Sequence, residues 1–316
     1  MPDPVNWIPV VSTPRGFPMI VTAGTLQLAD GSEIPISIGG VKHSDWGQGA
    51  SVELLGSLAK SLPVGLRAEW FSLREDRFFI ASLSVPQEEF RRLVSETSFH
   101  PKLDPAPSPD RLVIGLAPGG HLALWAAGAA STVFLTSTQG EPQTPEWSSR
   151  FPEVTLPRDE FIRINLEELQ LQNVGGVATA TSDLWQRVED RQKWKLLTAG
   201  IADLEMLSIR FANGEFAYFR AESEVGSSAS GSALPHKIEL QWRDHNGDRR
   251  GARLEFSIEE LFAVADQLTG RDSSQQYPLS LSVDLADAPR AVTVTLASAS
   301  KVVLLQQVRC EYTLLR

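Results

Sequence analysis

Apolar and polar residues alternate at period two through Leu62-Pro63-Val64-Gly65-Leu66-Arg67-Ala68-Glu69-Trp70 and again, without a gap, through Leu234-Pro235-His236-Lys237-Ile238-Glu239-Leu240-Gln241-Trp242. Leu66, Ala68 and Trp70 share one face, as do Ile238, Leu240 and Trp242, and charged or amide residues take the other, the pattern of a half-buried strand. Downstream, Val85-Pro86-Gln87-Glu88-Glu89-Phe90 answers to Phe256-Ser257-Ile258-Glu259-Glu260-Leu261. Each is a strand end followed by acids that suit the positive end of a helix. Phe90, Leu93 and Val94 then match Leu261, Val264 and Ala265 at the spacing of one apolar helical face.

The correspondence extends further in both directions. Leu112-Val113-Ile114-Gly115-Leu116 matches Leu281-Ser282-Val283-Asp284-Leu285, with turns at Pro118-Gly119-Gly120 and Asp287-Ala288-Pro289 and two more strands after each. Upstream, Leu26 to Gly31 matches Ile209 to Gly214, and both Asp30-Gly31 and Asn213-Gly214 suit tight hairpins because they tolerate positive φ. Short turns between neighbouring strands predict a mainly antiparallel sheet covered by one helix. The predicted fold is therefore α+β, two tandem copies of such a unit. The boundaries are an N-terminal extension at 1–16, a first repeat at 17–150, a partly helical connector at 151–199 and a second repeat at 200–316. In the connector, a helix is predicted over Ser182–Leu197, with Leu184, Trp185, Val188 and Trp194 on its apolar side.

With 316 residues, 42% of them hydrophobic, the chain can bury more than one core. No run of about 18 apolar residues offers a membrane span. The start, Met1-Pro2-Asp3-Pro4-Val5-Asn6-Trp7, lacks the regions of a signal peptide, so the sequence as written is expected in the cytoplasm, or in the periplasm if a leader has been removed. Cys310 is the single cysteine, which leaves no internal disulfide. The net charge of −10 repels phosphate backbones and predicts a basic or neutral protein partner rather than nucleic acid.

Catalytic signatures are absent. No Gly-x-Ser-x-Gly elbow occurs; the Ser-rich Gly226–Gly231 stretch reads as a loop. His43, His100, His121, His236 and His245 show no spacing that brings two imidazoles to one metal. Gly115–Gly120 lacks the lysine and following helix of a phosphate loop and reads as a hairpin turn. No cofactor or metal is expected, and no enzymatic activity. The candidates that remain are partner-binding residues. Trp46, in the polar loop His43-Ser44-Asp45-Trp46-Gly47-Gln48-Gly49, is either an exposed anchor with Asp45 beside it or a ring folded back on its own sheet. Asp159, Glu160, Glu167 and Glu168 form either an acidic contact surface or a solvated helix face.

The order of Leu-Pro, an alternating strand ending at Trp70, Phe78-Phe79, Leu83-Ser84-Val85-Pro86, a helix, Leu112-Val113-Ile114-Gly115-Leu116-Ala117-Pro118-Gly119-Gly120 and Leu124-Trp125 resembles an uncharacterised proteobacterial domain family. Its members include proteins assigned as immunity proteins for phospholipase effectors of type VI secretion. The resemblance covers roughly residues 60–137 directly, and its motifs are structural. It implies a protein that neutralises a secreted, lipase-like toxin by stoichiometric complex formation. This chain departs from the exported or lipid-anchored members in having neither an export signal nor a cysteine near its start. The alternatives are a small-molecule or sugar-binding module and, behind it, a hydrolase with a site between the repeats.

Overall fold

The alternation at Pro63–Ser72 seats Leu66, Ala68 and Trp70 in a buried core and leaves Arg67 and Glu69 outside. A computed structural model describes residues 5–49, 59–171, 182–201, 203–220, 231–244, 246–270, 279–286 and 292–315. The Ser-rich stretch 226–230, His245 and the turn 287–289 lie outside these. Two units are distinguished, Met1–Ser98 with Pro107–Arg187 and Phe99–Ala106 with Val188–Arg316.

In the first unit the strands are β1 (Val5–Asn6), β2 (Ile8–Ser12), β3 (Met19–Leu28), β4 (Glu33–Pro35), β5 (Ala59–Lys60), β6 (Pro63–Ser72), β7 (Arg77–Ser84), β8 (Arg111–Ala117), β9 (His121–Ala127), β10 (Ser131–Gln139) and β11 (Glu141–Gln143). The helices are α1 (Gln87–Ser95), α2 (Trp147–Arg150), α3 (Arg158–Glu168) and α4 (Ser182–Arg187). One antiparallel set runs β11-β7-β6-β3-β4. In a second set β2 lies parallel to β8, and β8, β9 and β10 follow antiparallel. One core holds Leu26, Leu66 and Trp70 from the first set together with Leu112, Ile114 and Leu124 from the second, and Phe90 and Leu93 of α1 join it.

The second unit contains β12 (Trp194–Ala199), β13 (Asp203–Phe211), β14 (Phe216–Phe219), β15 (Pro235–Arg243), β16 (Arg249–Phe256), α5 (Ile258–Thr269), β17 (Leu279–Asp284), β18 (Thr293–Ala297), β19 (Val302–Leu304) and β20 (Val308–Leu314). Its pairing order repeats that of the first. The sequence β14-β13-β15-β16-β20 stands where β4-β3-β6-β7-β11 stood. Strand β12 runs parallel to β17, as β2 does to β8, and β18 and β19 follow antiparallel. Irregularities recur as well: the register shifts between Val21 and Ala23 in β3 and between Leu204 and Met206 in β13. Both tight turns use the same bonds, Gly31 N to Leu28 O and Gly214 N to Phe211 O, each 3.0 Å. Gly31 and Gly214 have φ of 86° and 84°, which only a residue without Cβ adopts freely.

The α+β reading is corrected by these strands: 48% of the described residues are strand and 17% helix, arranged in several sheets. The physical reason is visible in the first core, where the apolar face of one strand set is buried chiefly by the other set and a single helix adds two buried side chains. Strand β2 falls in residues read as an extension, and β12 in residues read as connector helix. Helix α4 stops at Arg187, and Trp194 opens a strand instead. No described helix is long and apolar enough to cross a membrane.

Candidate binding surface

Each five-strand antiparallel set has an inner face in its core and an outer face, and the two outer faces are built from opposite chemistry. In the first unit Ile20, Phe71, Leu73 and Phe78 line the outer face and are buried, because Trp147 and Phe151 from α2 and the following turn, with Phe161, Ile162 and Leu166 of α3, pack over them. Ring centroids lie 5.4 Å apart for Phe71 and Trp147 and 5.5 Å for Trp147 and Phe161. The Arg158 guanidinium sits 5.3 Å from the Phe71 ring.

In the second unit the same pairing positions carry charge. Phe71 pairs with Phe78 across β6 and β7, and Arg243 pairs with Arg249 across β15 and β16. Glu205, at the β13 irregularity, bridges both arginines at 2.7 and 2.8 Å. A second ladder joins Lys237 and Arg253 to Glu239, each at 2.9 Å, and continues through Glu311 to Arg309. The side chains of Arg243, Arg249 and Arg253 are 40–48% exposed. Such exposed pairs contribute little stability each, about 0–1 kcal/mol.

At one end of this face is a cavity of about 160 Å³ lined by Ser208, Arg210, Phe216, Tyr218, Lys237 and Glu239. Strand pairing sets Arg210 against Phe216 on one side and Lys237 on the other, and Ser208 against Tyr218 and Glu239. The Arg210 guanidinium lies 4.9 Å from the Phe216 ring. His100 packs edge-on to Tyr218 at 4.8 Å. Burial, with the Glu239 charge adding to it, raises the Tyr218 pKa, so the phenol stays a hydrogen-bond donor near neutrality. Burial acts to raise that of Glu239, but the Lys237 hydrogen bond and the charges of Lys237 and Arg253 outweigh it and leave the carboxyl below its ordinary value. Among the described residues, the Ser208 and Tyr218 hydroxyls make no hydrogen bond. In the first unit the corresponding pairing positions hold Thr25, Gln27, Glu33, Pro35, Gly65 and Arg67, which supply neither the paired cations nor the aromatic wall.

The residues singled out in the sequence lie in the first unit. Trp46 is 9% exposed and packs on Trp125 at 4.8 Å and Trp185 at 5.1 Å, with His121 at 6.1 Å, so it is a core residue and not an exposed anchor. The loop folds inward because its polar groups are satisfied locally. Ser12 Oγ donates to Asp45 O, Gly16 N donates to His43 Nε2, and Arg15 holds the Asp45 carboxylate at 2.9 and 3.2 Å. Burial lowers the His43 pKa, which suits its role as acceptor. On α3, Arg163 donates to both oxygens of Glu167 at 2.8 Å and lies 3.8 Å from Glu160, while Asp159 and Glu168 are exposed. Among the described residues, no hydrogen bond or ion pair joins these acids to Asp45 or Trp46. Among the described residues no three His, Cys, Asp or Glu side chains form a metal-holding group.

A second cavity, of about 190 Å³, lies in the first unit beside Thr22, Glu69, Phe79 and Arg150. Its carboxylate is already taken by Arg150 at 2.7 Å. The family model described as "Protein of unknown function (DUF2931)" matches residues 1–196, more than half of the chain. The chain belongs to this family. The match to DUF2931 covers the helix-capped outer face and ends before the charged one. No curated protein and no solved structure matches the chain.

Proposed function

We propose that this DUF2931 protein is a binding protein, not an enzyme, and that it acts by stoichiometric complex formation with a protein partner on the outer face of β14-β13-β15-β16-β20. The observation that carries the reading is the contrast between equivalent faces: one is sealed by the chain's own helices, and the other presents half-exposed arginines, carboxylates and aromatic rings in fixed register. Rigid strands suit recognition because little side-chain and backbone order must be gained on binding. The cavity on this face is smaller than the roughly 300 Å³ at which small-molecule pockets begin, which favours a protein surface over a whole cofactor or sugar ligand.

The family resemblance supports a finer form of this reading, in which the partner is a secreted bacterial toxin, a lipase-like effector, and the complex neutralises it. The test is to purify the chain with the product of the neighbouring reading frame and measure complex mass by light scattering, then toxin activity against increasing amounts of this chain. A complex of fixed stoichiometry and inhibition that saturates at that ratio are expected. Absence of a complex at micromolar concentration, or turnover of an ester substrate by this chain alone, overturns the proposal.

A further inference from the structure

We infer that the outer face of β12-β17-β18-β19 docks a short, uncharged segment of a protein partner that presents a large aromatic ring. The inference goes beyond the binding reading above, which concerns the other strand set, and stands without it. Strand register defines the face. Leu197, Ser282, Thr295 and Leu304 pair in one row across the four strands, and Lys195, Ser280, Ala297 and Val302 pair in the next. The residues that alternate with them, Leu281, Val283, Val294 and Leu296, are buried, so these rows point away from the core. Leu197 is 43% exposed, Leu304 48% and Val302 66%. The small side chains of Ser280, Ser282, Thr295 and Ala297 form a floor between those rims. Exposed apolar residues scattered singly are ordinary, but three on one sheet face mark a contact surface.

The first unit shows what such a face takes. By the match of Leu112–Leu116 to Leu281–Leu285, its corresponding row is Val10, Val113, Trp125 and Phe134. Val10, Val113 and Trp125 are there no more than 4% exposed. Trp46 packs on Trp125 at 4.8 Å, Trp185 of α4 packs on Trp46 at 5.1 Å, and Gly49 lies so close that a Cβ on it would come 2.6 Å from Val10. The cover is thus an indole from a loop, backed by a second from a short helix. In the second unit Thr295 stands where Trp125 stands in the first, which takes a ring off the sheet and leaves room for one from outside. Charge narrows the occupant. On a chain of net charge −10 the two rows carry a single charged side chain, Lys195, at one end, and Asp284 in the row beyond already accepts from Ala286 N at 2.9 Å. Beyond a partner for Lys195, a charged segment would lose hydration there without an opposite charge in exchange, whereas an uncharged aromatic one gains from burial. Area argues against a second copy of this chain. Four strands about 4.8 Å apart, each offering about five residues at a rise of about 3.3 Å, give a footprint on the order of 250 Å². Stable interfaces bury roughly 800 Å² on each partner, so the face suits one short segment of a protein that is also held elsewhere.

The test titrates the full chain with N-acetyl-tryptophanamide by NMR, with N-acetyl-alaninamide and N-acetyl-lysinamide for comparison. Saturable shifts of the Ser282, Thr295 and Leu304 amides at millimolar probe are expected with the indole, and binding weaker by about tenfold or more with the other two. Leu304→Asp and Leu197→Asp, both at half-exposed positions, should each weaken the indole by a similar factor while signals remote from these strands stay in place. Thr295→Val keeps the shape of the floor without its hydroxyl and should leave binding intact, which separates burial from hydrogen bonding. Leu314→Asp puts the same charge on a residue 55% exposed on β20, outside this face, and should change nothing. No saturable shift, shifts that map to other strands, equal binding of the tryptophan and alanine probes, or a Leu314→Asp loss as large as that of Leu304→Asp overturns the inference. Light scattering of the chain alone should give a monomer; a dimer lost in Leu304→Asp would assign the face to a second copy and overturn the proposed occupant. Sedimentation with phosphatidylcholine vesicles that is lost in Leu304→Asp would assign it to a lipid surface and do the same. Arg243 and its neighbours lie on the other strand set, so each of these outcomes leaves the reading of the charged face untouched.

Discussion

Phe71 and Arg243 hold the same place in the strand pairing of their units, yet Phe71 is fully buried beneath α2 and α3 and the Arg243 side chain is 48% exposed. The same backbone position thus supports a core in one unit and a charged surface in the other. Truncating the two should separate them clearly. Phe71→Ala removes a ring that contacts Trp147, Phe78 and Phe151 and should cost about 3–5 kcal/mol. Arg243→Ala breaks an exposed pair with Glu205 and should cost no more than about 1 kcal/mol. Hydrogen exchange of each unit, with and without urea, measures both; similar costs would mean that the two faces are not in fact built differently.

Gly115 makes the burial of Trp46 possible. A Cβ there would lie 2.6 Å from one Trp125 ring atom and 2.7 Å from a Trp46 ring atom. Gly115→Ala should therefore force the rings apart and destabilise by about 1–3 kcal/mol. Quenching of tryptophan fluorescence by iodide provides the readout, because displaced indoles become accessible. Unchanged quenching together with unchanged stability would show that the rings move aside freely.

How much of this was legible in the sequence depends on distance along the chain. Period-two alternation located β6 and β15, and Asp30-Gly31 and Asn213-Gly214 located two turns, because side-chain direction and φ preference are local properties. The strands β2 and β12 were not seen, since each pairs in parallel with a strand far downstream, β8 and β17, and carries no hairpin signal. Trp46 was read among polar and glycine neighbours, yet the ring that decides its burial, Trp125, comes from β9. For the cavity lined by Lys237 and Glu239, the sequence did show these two residues where the first unit has Gly65 and Arg67. What it could not show was that register sets Arg210 and Tyr218 beside them.

Trp46→Ala distinguishes a core residue from a partner contact. The loss of a ring packed on Trp125 and Trp185 should lower stability by about 3–5 kcal/mol. Partner affinity, measured on the fraction that remains folded, should stay unchanged. A variant of normal stability with weakened partner binding would place Trp46 in the interface after all.

Asp30 gives the fold an acid-sensitive element. Its carboxylate accepts from Ser32 Oγ at 2.6 Å, Ser61 Oγ at 2.7 Å and Ser32 N at 2.9 Å, tying the β3–β4 turn to the residue after β5. The Ser32 hydroxyl bond first, then that of Ser61 and the Ser32 amide, lower its pKa from the ordinary 3.8 to about 2. A group whose folded pKa is depressed favours folding at pH above its unfolded value, and that contribution is lost as pH falls through the folded value. Between about pH 4 and pH 2, stability should therefore decline in the wild type, with part of the slope absent in Asp30→Asn. Other carboxylates titrate in the same window, so the difference between the two proteins, not either slope alone, is the measurement. A carboxyl ¹³C titration of Asp30 supplies the direct check. A midpoint at the ordinary value, or identical acid slopes in the two proteins, would show that the two serine hydroxyls do not hold the carboxylate in solution.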